Sequence, residues 1–209
     1  YLADNPWVRA RTSNYDPEQQ WFSHGGFGYQ SGWERVPDYY LVKDDIPNFL
    51  RAWLNRCAVD LNPQKGWTFN EHTEHADNDK SHGNAVFLSN FRNMLVMEIG
   101  DQLWLARATP RVWLEQGKKI SVKNAPTYFG TLAYEITSDV DNSRINATIE
   151  IPNRNVPKSV NLRFRHPRQV PIQSVVVNGQ PWNDFDPAKE IIRLHDVKGS
   201  VQVTAVYGE

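Results

Sequence analysis

Between residues 45 and 61, apolar side chains fall at Phe49, Leu50, Trp53, Leu54, Cys57, Ala58 and Leu61. That is the i, i+3, i+4 spacing of one buried helical face. Asp44 or Asp45 can cap this helix, Pro47 suits its first turn, and the stretch 62–66 (NPQKG) ends it. A shorter helix is predicted over about 36–42. A third is predicted from about 84 to 95, with Phe87, Leu88, Phe91, Met94 and Leu95 inward. At 96–106 the pattern changes to that of strands, with Gly100-Asp101 as a hairpin turn. Residues 109–117 read as one short helix, capped by Thr109, with Pro110 at its first position and Gly117 as its stop.

From Ile120 onward the apolar runs are short and turn signals frequent. Strands are predicted at 131–137 and 144–151, joined by a hairpin, and at 159–165, where Val160, Leu162 and Phe164 alternate on one face. The stretch 172–182 carries Asn178-Gly179, a tight-turn pair, and 190–195 and 200–207 follow. Prolines 152, 157, 167, 171, 181 and 187 are expected between strands. This spacing predicts an antiparallel β-sandwich. Seven of the eight Trp precede residue 118, so the composition also shifts there. The expectation is an α+β chain in two parts: a helical part with an exit hairpin over 1–118, and a sandwich over 119–209.

The chain is 40% hydrophobic and 12% aromatic, enough to build a core. Its net charge is −1 and no basic run stands out, which gives nucleic acid or an anionic membrane no electrostatic support as a partner. No apolar run approaches the roughly 18 residues of a membrane helix. Cys57 is the only cysteine, so no internal disulfide can form, and it reads as a core residue on a helix face.

Two stretches carry candidate chemistry. Residues 14–35 have no clean period and combine Trp21, Phe22, Phe27, Tyr29 and Trp33 with His24, Gln30, Glu34 and glycines. Aromatic faces beside amides and carboxylates suit sugars, whose C–H faces stack while their hydroxyls take directed hydrogen bonds; an aromatic loop packed on the helices has the same composition. Residues 66–83 (GWTFNEHTEHADNDKSHG) hold Glu71, His72, Glu74, His75, Asp77, Asp79, Lys80 and His82 between two glycines. Three readings fit: a solvated charged loop, a metal site, or acid/base catalysis. The spacing HTEH is neither H-E-x-x-H nor the alternating acids of a calcium loop. Glycosidic cleavage needs two carboxyl groups flanking the bond, and Glu71 follows Trp67 and Phe69, apolar neighbours that raise a carboxyl pKa toward the working range. In the second half, His166 and His195 stand at strand ends and read as surface or structural histidines, and the sequon Asn146-Ala147-Thr148 lies inside a predicted strand.

The order of these elements resembles the tail of the six-hairpin glycosidases, an (α/α)6 barrel followed by a β-sandwich. The stretch 33–61 looks like a late barrel helix pair, 66–75 (GWTFNEHTEH) like the segment that delivers a catalytic glutamate, and 90–136 like the exit into the sandwich. The α-L-rhamnosidase-like branch places an acid after a G-x-T-T/F-x-x-E stretch, whose spacing Gly66, Thr68, Phe69 and Glu71 match loosely, with one residue rather than two between Phe69 and Glu71. Where that pattern has an aromatic before the acid, this chain has Asn70. The resemblance implies the C-terminal part of a glycoside hydrolase acting on an oligosaccharide or polysaccharide, completed by an N-terminal remainder that carries the partner carboxylate. It implies Glu71 as general acid or base with Glu74 in reserve, and His24, Gln30, Trp33, Glu34 and His72 as sugar contacts, with no cofactor and no metal. A bacterial polysaccharide-degrading enzyme of this kind would be periplasmic or secreted. Two other classes share the composition: a polysaccharide lyase with Tyr29 or His24 as base, and a non-catalytic carbohydrate-binding module.

Overall fold

The computed structural model describes residues 36–62, 66–69 and 81–208. The chain divides into two compact units, Tyr1–Arg92 and Asn93–Glu209.

The first unit contains α1 (Val36–Val42), α2 (Ile46–Asp60), a short antiparallel pair of β1 (Leu61–Asn62) and β2 (Thr68–Phe69), and the start of α3 (Ser81–Leu95). The α1–α2 corner is built as the sequence predicts. Asp44 turns left-handed (φ 62) after α1, and Asp45 caps α2: its Oδ1 accepts from the Asn48 N–H at 3.3 Å and its Oδ2 from Asn48 Nδ2 at 2.7 Å. The buried stripe of α2 is Ile46, Phe49, Ala52 and Trp53. Leu54, predicted inward, is 51% exposed, because it lies one residue and hence about 100° round from Trp53. On α3 the expectation of Leu88 facing inward is also corrected: it is 61% exposed, and Gly83, Val86, Asn90 and Met94 form the buried line. The rotation follows from a polar contact that hydropathy does not reveal. Asn90 is fully buried and donates through Nδ2 to Asp38 Oδ1 of α1 at 2.8 Å. Three α-helices stand among the described residues, and a closed ring of helical hairpins does not.

The second unit has two sheets. One runs β10-β9-β13-β7-β6-β5 and is antiparallel throughout: β5 (Lys119–Thr127), β6 (Gly130–Asp139), β7 (Arg144–Glu150), β9 (Ile172–Val177), β10 (Gln180–Trp182) and β13 (Ser200–Tyr207). The other runs β11-β12-β8-β4-β3: β3 (Val96–Ile99), β4 (Gln102–Leu105), β8 (Ser159–Arg163), β11 (Phe185–Asp186) and β12 (Ile191–Leu194). Both contribute to one hydrophobic core, with Leu103, Leu105, Val160, Leu162, Ile192 and Leu194 from the second sheet and Leu132, Ile136, Ile145, Ile149, Val201 and Val203 from the first. Each such side chain stabilises the fold by roughly 1.5–3 kcal/mol when fully buried.

Four details of this unit differ from expectation. β4 pairs with β8 in parallel, because the chain between them passes through the other sheet before returning in the same direction. The hairpin β3–β4, expected with the helical part, is hydrogen-bonded into this unit through β8, so the compositional shift at residue 118 falls inside a unit that begins at Asn93. Pro181 lies within β10 rather than between strands, which an edge strand permits. The stretch 109–117 forms only a 3-10 turn, Arg111–Leu114, with Pro110 as its N-cap and no side-chain cap bond; Thr109 Oγ1 instead donates to the Ala106 carbonyl at 3.5 Å. The Asn178-Gly179 turn is as predicted, with both residues at positive φ (48 and 80). Asn146 is on β7, paired on both sides, and its side-chain oxygen accepts from Thr204 Oγ1 at 2.8 Å.

β8 is buried on both faces. Its second face carries Asn161 and Arg163, and beside it Trp104 lies with Arg107 at 4.3 Å and Arg163 at 5.9 Å from its ring centroid. At the end of β8 the chain is tied by Glu190, a buried residue in the left-handed region (φ 56). Its Oε2 pairs with Arg111 Nη2 at 2.7 Å, its Oε1 accepts from the His166 N–H at 2.5 Å, and Arg111 Nη1 donates to the His166 carbonyl at 2.6 Å. The His166 ring packs on Tyr207 with centroids 4.5 Å apart, and its Nδ1 accepts from the Arg168 N–H at 3.2 Å. Burial pushes the Glu190 carboxyl up, against the pull of the Arg111 hydrogen bond and charge. Burial also lowers His166 to about 4, aided by the charges of Arg168 and Arg111.

Glu190→Ala leaves Arg111 without its carboxylate. Removing one partner of a buried pair costs about 3–5 kcal/mol, and Arg111 keeps 24% of its side-chain exposure, so the expected loss is at the lower end. Urea denaturation of the full chain measures it, and a loss below about 1 kcal/mol would show that the pair does not hold this region.

His166 sets a pH dependence. Its folded value lies below the ordinary 6.5, so the unfolded chain binds the extra proton as pH falls. Stability from this group is complete above 6.5 and is lost as pH falls toward about 4. Glu190, raised above its ordinary 4.5, acts in the opposite sense above that pH. The histidine part is therefore isolated by difference: acidification from pH 7 to 4.5 should destabilise wild type relative to His166→Gln, by up to about 3 kcal/mol. Parallel stability–pH curves for the two proteins would remove His166 as the cause.

Candidate functional site

The acid-rich stretch enters and leaves through described residues. Gly66 (φ 76) and Trp67 (φ 62) both take the left-handed conformation, routine for glycine and costly for tryptophan, and the Trp67 side chain is exposed. The chain then straightens, with Thr68 opposite Asn62 and Phe69 opposite Leu61. Phe69 is buried, its ring 5.0 Å from Phe87 of α3. Phe87 stacks on Trp53 of α2 at 5.4 Å, and Phe91 lies 6.1 Å from Trp53 and 6.2 Å from Phe87. The Phe69 N–H donates to Asn84 Oδ1, in the first turn of α3, at 3.1 Å. A hydrogen bond and an aromatic contact thereby join Phe69 to the start of α3, on a frame of four rings from α2, β2 and α3.

The frame is apolar, and the candidate chemistry lies beyond it. Glu71, His72 and Glu74 fall in 70–80, and His24, Gln30, Trp33 and Glu34, with Tyr29, fall in 1–35; all lie outside the described residues. Among the described residues no group of three His, Cys, Asp or Glu could hold a metal ion, and no helix is long and apolar enough to cross a membrane.

The structure gathers Glu190, His166 and Tyr207 around Arg111, a cluster that the sequence does not reveal although His166 reads there as a surface or structural histidine. Its members come from four separate segments, and only the arginines flanking His166 (Arg163, Arg165 and Arg168) hint at it. It is a structural knot. Glu190 is bound to a guanidinium and a backbone N–H, and His166 is 1% exposed with its Nδ1 used by a backbone N–H, so neither presents a proton to a ligand. His195 is exposed, with Nε2 2.8 Å from Asp184 Oδ2, as expected of a surface histidine.

No family model matches the chain, and no curated protein is a significant match. Among solved structures it is similar to a GH127 β-arabinofuranosidase (14% identity, TM-score 0.42, covering 86% of this chain and 32% of that one). It is similar also to a GH127 β-L-arabinofuranosidase from Geobacillus stearothermophilus T6 (14%, TM-score 0.33, 78% and 28%). A third is an α-L-rhamnosidase from Dictyoglumus thermophilum (11%, TM-score 0.38, 67% and 15%). The chain thus spans under a third of each of these glycoside hydrolases. Similarity of this strength assigns neither an activity nor a residue to the chain.

The tie between Phe69 and Asn84 is testable without knowing a substrate. Asn84→Ala removes the acceptor, and the Phe69 amide should exchange with solvent about fivefold faster, for a net loss near 1 kcal/mol. Asn84→Asp keeps an acceptor and should retain protection. Equal exchange in all three proteins would show that this bond does not hold Phe69 to α3.

Proposed function

We propose that this chain is part of a glycoside hydrolase: the last hairpins of an (α/α)6 barrel followed by an antiparallel β-sandwich. The observation that carries the reading is the tied frame beside the acid-rich segment. Glu71 stands two residues beyond Phe69, whose ring is buried and whose N–H is bonded to α3. A catalytic carboxylate needs a rigid support of this kind, because misplacement by about 1 Å costs rate heavily.

In this reading Glu71 is the general acid or base, and the apolar neighbours Trp67 and Phe69 keep its carboxyl near the working range. Glu74 is the reserve. His24, Gln30, Trp33, Glu34 and His72 contact the sugar of an oligosaccharide or polysaccharide. The partner carboxyl comes from the remainder of the same enzyme, roughly 6.5–9.5 Å from Glu71 for inversion or about 5–5.5 Å for retention. Acid/base cleavage of this kind uses no cofactor.

Glu71→Gln keeps shape and hydrogen bonding but removes both charge and proton. In the full-length enzyme it should lower kcat by about 10²–10⁴-fold, the usual worth of general acid–base help, with the Tm unchanged. Reducing-sugar release from plant and microbial glycans measures it. Wild-type turnover by Glu71→Gln would remove Glu71 from the mechanism, and an ultraviolet-absorbing unsaturated product would replace hydrolysis with elimination.

A further inference from the structure

Trp67 is held where neither packing nor backbone preference would put it. In an extended chain residues 67 and 69 point to the same side, and the Phe69 ring packs on Phe87 in the aromatic frame. Yet Phe69 is 1% exposed and Trp67 is 67% exposed. The left-handed backbone at Trp67 (φ 62), directly after that at Gly66 (φ 76), breaks the alternation and turns the indole out. Burying an indole would stabilise the fold, whereas a left-handed backbone at a bulky side chain is strained. Glycine or asparagine makes the same turn without that strain.

The residues that follow hold the turn in place. Thr68 and Phe69 pair with Asn62 and Leu61, and the Phe69 N–H is bonded to Asn84 Oδ1. The indole thus stands on a fixed base with most of its surface in solvent. The other large apolar side chains described as exposed in this unit, Tyr39, Val42, Leu54 and Leu88, lie on regular helices and need no such turn. Strain kept at an exposed aromatic points to a ligand rather than to the core. An indole face is electron-rich: it attracts the weakly positive C–H groups of a sugar ring and offers nothing to a carboxylate. Glu71 is four residues further on, so its Cα can lie no more than about 14 Å from that of Trp67. An oligosaccharide bound at Glu71 reaches that far.

We propose that Trp67 is a stacking platform for an uncharged sugar ring of the substrate, close to the point of cleavage. The inference rests on the reading of Glu71 as catalytic acid or base. The test uses the full-length enzyme as Glu71→Gln, which binds substrate without turning it over. The probes are oligosaccharides of arabinan, galactan and xylan, with oligogalacturonate as the anionic comparison. At least one uncharged oligosaccharide should bind by calorimetry. Adding Trp67→Gly or Trp67→Asn should weaken that binding at least about tenfold, while Trp67→Phe, which keeps a ring, should stay within about threefold. Trp67→Gly and Trp67→Asn should also melt no lower than their parent, because they relieve strain and remove few packed atoms; a tryptophan that serves only structure gives the opposite. Trp67→Asn keeps the test decisive if glycine loosens the turn. Unchanged binding in both variants, a lower melting temperature in both, or tightest binding by oligogalacturonate would overturn the platform alone. Turnover of the same oligosaccharides by Glu71→Gln would overturn the reading of Glu71 and the inference with it, as would absence of binding by all three uncharged oligosaccharides.

Discussion

A single carboxylate joins the parts of the two-sheet unit that its strands alone would leave separate. Glu190 takes Arg111 from the 3-10 turn and the His166 N–H from the turn after β8, while its own carbonyl takes the Phe164 N–H. Burying that charge is costly in lost solvation, and Arg111 offsets the cost only because the pairing geometry is good and the second oxygen is also bonded. The left-handed backbone at Glu190 adds strain on the order of 1–3 kcal/mol, tolerated where the surroundings over-determine it. Tyr207 at the end of β13 packs on the same histidine, so the last strand of the chain registers against the same point.

The parts of this fold that were legible in the sequence are those with a local cause. Asp45 caps α2 because an aspartate before an apolar stripe has backbone N–H groups to satisfy, and Asn178-Gly179 turns because both residues tolerate positive φ. What was not legible rests on partners distant in sequence. Asn90 takes the buried line of α3 because Asp38, 52 residues earlier, bonds it; hydropathy placed Leu88 inward instead. The parallel β4–β8 pair and the Arg111–His166 bond, across 55 residues, have the same origin. At the candidate site, the glycine entry and the helical exit were visible as composition, whereas the Phe69–Asn84 bond that joins them was not.

Glu190 shows what this fold does with a carboxylate that serves structure. At Glu190 every polar atom of the carboxylate is matched by a donor, one of them a guanidinium, and the imidazole beside it is held neutral by burial and neighbouring positive charge. Such a group cannot cycle a proton, because each protonation change would break a bond that the fold uses. A general acid needs the reverse: a fixed backbone and a carboxyl whose own partner is the substrate. The frame of Phe69, Phe87, Trp53 and Phe91 supplies fixity through stacked rings and the amide bond from Phe69 to Asn84. An apolar support raises a nearby carboxyl's affinity for its proton, where a cationic one would lower it. On the proposed reading of Glu71, that difference in supporting chemistry, rather than the number of acids, is what would set a catalytic carboxyl apart from the knot at Glu190.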